Sequence, residues 1–429
     1  MSFFVLPNSK KEELPIQLIS QGTYGCIFKP GMNCKGGLEK EGYITKIQND
    51  KETTRNEYEI GKVLLNDNGN PAEYAERFAP ILNSCPVSIG KIKENFIEKC
   101  EVIQNNIHQS KFYSNQIRYV GKYTLGDYLS MLFKEPNKTP FISFCRDFHI
   151  YLLDSLDFLQ EKNIIHFDLK ENNILIDETH GVPVIIDFGL SVSINTLLHK
   201  PIQYDLYRNH FYVYYDKYPP WCLEIVLISF IVNDVTPDSI WGGREGGRRK
   251  KNKKQANKAF SEALSENKAQ LSDNKFQSDN KFLWAIKSVK MDDLLAIMHH
   301  YFEKNYVAEM ISLDKKKKYE TQWEEWIKSV YGEKRSSMSG KDIVRKLMES
   351  WKSWDTFGLS VIFFILLQKY VPNHFLEYQN LLIQNILSIP SERENAKDYQ
   401  NRILNYFSSS TSKEEMEHWV YSILPNVRK

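Results

Sequence analysis

Twice between residues 164 and 190 a run of β-branched residues is interrupted by acidic and polar side chains. The first cluster is I-I-H-F-D-L-K-E-N-N-I-L over 164–175, the second I-I-D-F-G-L over 185–190. The short runs 174–176 and 184–186 are separated by the turn-rich 177–183, which predicts a β-hairpin. Either cluster alone reads as an ordinary turn, because Asp and Asn readily hydrogen-bond their own backbone. In tandem, and flanked by strand-like runs, they constrain the chain far more: the fold must hold carboxylates and an amide beside that hairpin.

This tandem resembles the eukaryotic-type protein kinase family, whose pattern is H-R-D-L-K-x-x-N followed by D-F-G. Phosphoryl transfer needs positioning and charge neutralisation more than covalent chemistry. The resemblance implies that Asp168 orients the attacking hydroxyl. It implies that Lys170 holds the γ-phosphate and marks a serine/threonine rather than a tyrosine kinase. Asn173 and Asp187 become the Mg²⁺ ligands, the first through a neutral amide oxygen, the second through a carboxylate.

Upstream, I-S-Q-G-T-Y-G-C-I-F over 19–28 resembles the family's glycine-rich loop, where backbone N–H groups approach phosphates closely. The implied nucleotide residues are Ile19, Ser20, Gln21, Gly22, Thr23, Tyr24, Gly25, Cys26 and Ile27, with Ser20 in place of the first glycine. In Y-I-T-K, Lys46 stands where the family's strand lysine binds the α- and β-phosphates. A helix predicted over about 53–65 must offer it a carboxylate, and Glu57 and Glu59 compete. Ile60 and Leu64 share the Glu57 face, which favours Glu57. The segment 117–129 resembles the hinge between lobes, with Ile117 gating an adenine slot, Arg118 to Gly121 (Val120 among them) as hinge backbone, and Leu175 as floor.

Two later markers extend the resemblance, which covers about 16–231 and 351–420. P-P-W-C-L-E over 219–224 is a degenerate A-P-E, with Glu224 the candidate for a structural ion pair. W-D-T-F-G-L-S-V over 354–361 resembles D-x-W-S-x-G, with Asp355 bracing the catalytic loop. Phe167 replaces the arginine that pairs with an activation-loop phosphate in many kinases, so activation is expected not to depend on phosphorylation between Asp187 and Glu224. The tyrosines of that loop are read as a packed aromatic platform.

The expected fold is α+β and bilobal. A β-rich N-lobe occupies 1–117 and the hinge and first part of a helical C-lobe 118–231. A lysine-rich, partly helical insertion fills 232–350 and the remaining C-lobe 351–429, with ATP in the cleft between lobes. Helical periodicity is strongest over 141–160 and returns inside the insertion at 282–300 and 319–331. The basic stretch 244–258 reads as a solvated loop, with a nuclear-localisation or nucleic-acid tether as the weaker alternative.

Composition narrows the partners. Fifty-six basic against 54 acidic residues leave a net charge of +2, so no global field favours nucleic acid or membrane. The apolar runs 223–232 and 359–367 fall short of the roughly 20 residues a membrane span requires. The N-terminus lacks the pattern of a secretory signal. Six scattered cysteines without a C-x-x-C pair argue against a zinc knuckle and a dense disulfide framework, and reduced thiols in a cytoplasmic protein are expected; for Cys34 and Cys85 separate buried thiols are favoured, with a mutual approach as the alternative. C-I-F-K-P-G-M-N-C and R-F-A-P-I-L-N-S-C-P resemble kinases of large nucleocytoplasmic DNA viruses, which would imply action in host cytoplasm and packaging in virions. The reading is therefore a serine/threonine kinase using ATP and Mg²⁺ on protein substrates. A pseudokinase scaffold is the alternative, and a small-molecule phosphotransferase a more distant one.

Overall fold

The computed structural model describes residues 16–233 and 288–423, apart from breaks at 23–24, 36, 39, 66–75, 109–110, 136–137, 199–203, 212–213, 216 and 333–336. The basic stretch 244–258 lies outside the described residues. The chain divides into two compact units, one of residues 1–66 and 79–119, the other of 67–78 and 120–429.

The first unit is built on a five-stranded sheet in the order Gln17–Gln21, Gly25–Lys29, Tyr43–Gln48, Phe112–Arg118, Ile81–Val87, with every neighbouring pair antiparallel. Alternation along the strands places Cys26, Phe28 and Ile47 in a core with Phe96, Ile103 and Phe112. The helix Lys51–Leu65 buries Thr54, Glu57, Ile60, Gly61 and Leu64, the 3.6-residue stripe expected of a helix on a sheet. Gly61 lets it lie close: a Cβ there would stand 2.4 Å from the Ile81 carbonyl oxygen.

Four of the six cysteines are not free thiols. Cys26 is bonded to Cys100 and Cys34 to Cys85, leaving Cys145 and Cys222 as buried thiols. This corrects the expectation of reduced cysteines. The pairs are 74 and 51 residues apart and meet only because the sheet folds distant segments together; no local spacing reports such a pair.

The second unit is mainly helical. The hairpin Ile174–Ile176 with Pro183–Ile186 forms as its pattern predicts. The helices Thr139–Glu161 and Trp354–Tyr370 pack together, and the second is buried around nearly its whole circumference, as its unbroken apolar character demands. Helix Leu223–Val232 is buried along its whole length. Part of the insertion is folded: helices Met291–Lys304 and Gly340–Met348 pack on Leu223–Val232, and Leu313–Tyr331 packs on Met291–Lys304. The Trp323 indole N–H, buried on Leu313–Tyr331, donates to the Leu387 carbonyl at 2.9 Å. Among the described residues no helix is long and apolar enough to cross a membrane.

Candidate active site

In the first unit, the glycine-rich segment is a tight hairpin in which the Gly22 N–H donates to the Gly25 carbonyl at 2.9 Å. Thr23 and Tyr24 lie outside the described residues. Nothing stands within 4 Å of a Cβ built at Gly22, whereas one at Gly25 would meet the Ile47 carbonyl oxygen at 2.4 Å. Gly25 is thus demanded by the neighbouring strand itself. Ile19, Ser20 and Gln21 are exposed, and Ile27 is half-buried opposite Lys46 in register. The Cys26 side chain is buried in its disulfide, which leaves its backbone for any ligand. Gln21 reaches back to the helix after Cys100: its side-chain oxygen accepts from the Glu101 N–H at 2.9 Å and its amide donates to the Glu101 carboxylate at 3.0 Å.

Lys46 Nζ and Glu57 Oε2 are 3.0 Å apart, with the Glu57 side chain only 1% exposed. Glu59, the competing carboxylate, pairs instead with Lys62 at 2.8 Å on the exposed face. The helix carrying Glu57 is fixed at its start by a polar network. Asn115 donates to the Gln48 side-chain oxygen at 2.6 Å, and Thr54 donates to the same oxygen at 3.2 Å. Ile117 is buried and Arg118 half-buried at the end of the adjoining strand.

In the second unit, Val120 is buried and Leu175 half-buried on the hairpin, where Leu175 bridges to Thr124. The loop after Ile165 is held by backbone and side-chain bonds of long range. Asp355 accepts from the backbone N–H groups of His166 at 2.7 Å and Phe167 at 3.0 Å. Burial is the largest influence on Asp355 and raises its pKa, against the charge of His166 and those two N–H groups. His166 Nε2 lies 3.0 Å from the Ile186 carbonyl, and the Trp221 indole N–H donates to the Phe167 carbonyl at 3.0 Å. Phe167 is in the left-handed region at φ 67°, as is Asp187 at φ 64°. Non-glycine residues occupy that region at a cost and only where their surroundings enforce it, a pattern that recurs at functional sites. The arginine position filled by Phe167 is aromatic ground, its ring packed against Phe211 and Trp221.

Four hydrogen bonds converge on the Asp168 carboxylate. Lys170 Nζ donates to Oδ2 at 2.9 Å and to Oδ1 at 3.1 Å, and Asn173 Nδ2 donates to Oδ2 at 3.0 Å. The fourth donor is the Tyr218 hydroxyl, on Oδ1. Sequence reasoning saw Tyr218 only as one tyrosine of a packed platform. Fifty residues separate it from Asp168, and no local pattern marks it. Because the amide nitrogen of Asn173 is committed to Asp168, its oxygen is the atom left for a cation, and Asp187 supplies a carboxylate beside the turn Phe188–Leu190. Hard oxygen donors of this kind fit Mg²⁺. Among the described residues no group of three or more His, Cys, Asp and Glu side chains could hold a metal ion. Glu224 is paired with Arg393, both side chains fully buried.

The protein kinase domain family model matches residues 95–209, a stretch that contains Asp168, Lys170, Asn173 and Asp187 but not Lys46, Glu57, Tyr218 or Asp355. Mitogen-activated protein kinase kinase kinase 15 of Mus musculus is 26% identical over 147 residues, 30% of this chain and 11% of that protein. Serine/threonine-protein kinase PknA of Nostoc sp. is 39% identical over 79 residues, 18% of this chain and 14% of that protein. Serine/threonine-protein kinase ppk31 of Schizosaccharomyces pombe is 29% identical over 157 residues, 34% of this chain and 14% of that protein. The chain thus spans little more than a tenth of the length of these relatives, and none of them supports the resemblance to viral kinases. The Mycobacterium tuberculosis PknI kinase domain superposes with a TM-score of 0.37 at 7% identity, over 91% of this chain and 94% of that one. With its antiparallel N-terminal sheet and helical C-terminal region the fold is kinase-like, and residues 95–209 match the protein kinase domain family model.

Proposed function

We propose that this chain is a serine/threonine protein kinase that transfers the γ-phosphoryl group of ATP to hydroxyls of protein substrates. The observation that carries the reading is the Asp168 carboxylate, buried yet held by Lys170 and Asn173. In this role Asp168 accepts the proton of the attacking hydroxyl, and Lys170 moves onto the transferring phosphoryl group, whose charge spreads over its oxygens in the transition state. Lys46, steadied by Glu57, binds the α- and β-phosphates. Asn173 and Asp187 hold Mg²⁺, which neutralises phosphate charge. Asp355 keeps the loop in the strained conformation that aims Asp168. The names of relatives matched over short stretches support serine/threonine specificity, as does Lys170.

The test is to incubate the purified chain with Mg²⁺, radiolabelled ATP and a generic serine/threonine substrate, beside Asp168→Ala and Lys46→Met. Transfer by wild type that is lost in both variants is the expected result. ATP binding without transfer in the wild type would replace this reading with that of a scaffold without turnover.

A further inference from the structure

The bonding at Asp168 raises a question that the kinase reading, on which this inference rests, leaves open. An ionised carboxylate offers about four lone-pair sites. In this chain four hydrogen bonds fill them, two from Lys170, one from Asn173 and one from Tyr218. Lys170 also donates to the Tyr218 oxygen at 3.0 Å, which turns the phenol's own hydrogen toward Asp168. An acceptor hydroxyl can therefore reach Asp168 only by displacing a donor. Lys170 and Asn173 have tasks in the transfer. Tyr218 has none, and its hydroxyl occupies the place an acceptor hydroxyl needs.

We propose that Tyr218 is a specificity gate, holding the acceptor place on Asp168 against water until a protein hydroxyl takes it. The ring has somewhere to go. Only 7% exposed, Tyr218 forms one wall of a pocket of about 470 Å³, together with Trp221, Tyr301, Tyr306 and Val307. That volume exceeds what a phenol ring needs. Tyr301, Tyr306 and Val307 come from the folded part of the insertion, which gives this otherwise unassigned segment a role in opening the gate. A polypeptide brings binding energy from residues flanking its hydroxyl and can use it to move the ring; water brings none. With the gate shut, the competing hydrolysis is suppressed, in which a water oxygen bonds the γ-phosphorus, the bond to the ADP oxygen breaks, and the water's proton passes to Asp168.

The experiment is Tyr218→Phe, which removes the hydroxyl and keeps the ring. ATP hydrolysis without peptide and phosphorylation of a serine peptide are measured for wild type and variant, each with Asp168→Ala as background. The ratio of hydrolysis to peptide phosphorylation is expected to rise about tenfold, the scale of one hydrogen bond to a charged group. A ratio that stays put, whether both rates hold or both fall in proportion, overturns the gate and leaves Tyr218 a structural support. A wild type that phosphorylates no peptide overturns the kinase reading instead, so the two failures are distinct.

Discussion

Replacing Asp355 by alanine removes the acceptor of two backbone N–H groups that lie at 2.7 and 3.0 Å. Each hydrogen bond to a charged group contributes about 1.5–3 kcal/mol, and a buried N–H left without a partner costs about as much as the bond it lost. Two effects reduce the sum. Burial of the Asp355 charge is itself unfavourable, as its raised pKa indicates, and alanine relieves it. Phe167, held at φ 67°, can relax once its tether is gone and recover about 1–3 kcal/mol of strain. The expected net loss is about 2–4 kcal/mol. All eight tryptophans lie at or beyond residue 221, inside the second unit, so tryptophan fluorescence in urea reads that unit alone. Amide exchange at His166 and Phe167 provides the local check and is expected to accelerate. An Asp355→Ala protein within about 0.5 kcal/mol of wild type, with both amides as protected as before, would refute the reasoning.

Other consequences are open to measurement. His149 is buried, stacked on Phe363 and 2.6 Å from the Tyr378 hydroxyl, and burial lowers its pKa from 6.5 to about 3. Between those values the unfolded chain binds a proton that the folded chain refuses. The stability tied to neutral His149 is therefore complete above pH 6.5 and is lost as pH falls toward 3, at up to about 1.4 kcal/mol per pH unit. His149→Phe should flatten that acid limb in fluorescence-monitored urea melts; an unchanged slope would assign the acid sensitivity elsewhere. In the first unit the disulfides close loops of 74 and 51 residues of separation, each worth about 4 kcal/mol by chain entropy and less together because one loop lies within the other. Cys34 is exposed while Cys26 and Cys100 are fully buried. Graded reduction with alkylation and mass spectrometry should accordingly label Cys34 and Cys85 first, and simultaneous labelling of all four would contradict the burial argument.

Much of the local structure was legible because it rests on near neighbours. Apolar periodicity over 141–160 became the helix Thr139–Glu161, and the β-branched runs around Asp177–Pro183 became a hairpin. The shared face of Glu57, Ile60 and Leu64 is the one the helix buries, and Glu57 on it lies 3.0 Å from Lys46 while Glu59 faces outward. Periodicity encodes such facts directly, because residues three or four apart on a helix share one side whatever the rest of the chain does. The family resemblance added Asp355, whose two bonds to the backbone of His166 and Phe167 span nearly two hundred residues of sequence and have no local signature.

The sequence by itself determined the main helices and the 174–186 hairpin, the polar clusters around Asp168 and Asp187, and that a helical piece lies inside the insertion. Only the tertiary structure decided that Cys26 meets Cys100 and Cys34 meets Cys85, that Glu224 pairs with Arg393, that Trp323 is anchored to the Leu387 carbonyl, and that the Tyr218 hydroxyl rests on Asp168. Each joins segments tens of residues or more apart. Such meetings depend on the path of the whole chain, which is set by the summed burial of a core rather than by any one stretch, so a pattern read along the sequence contains the partners without their pairing.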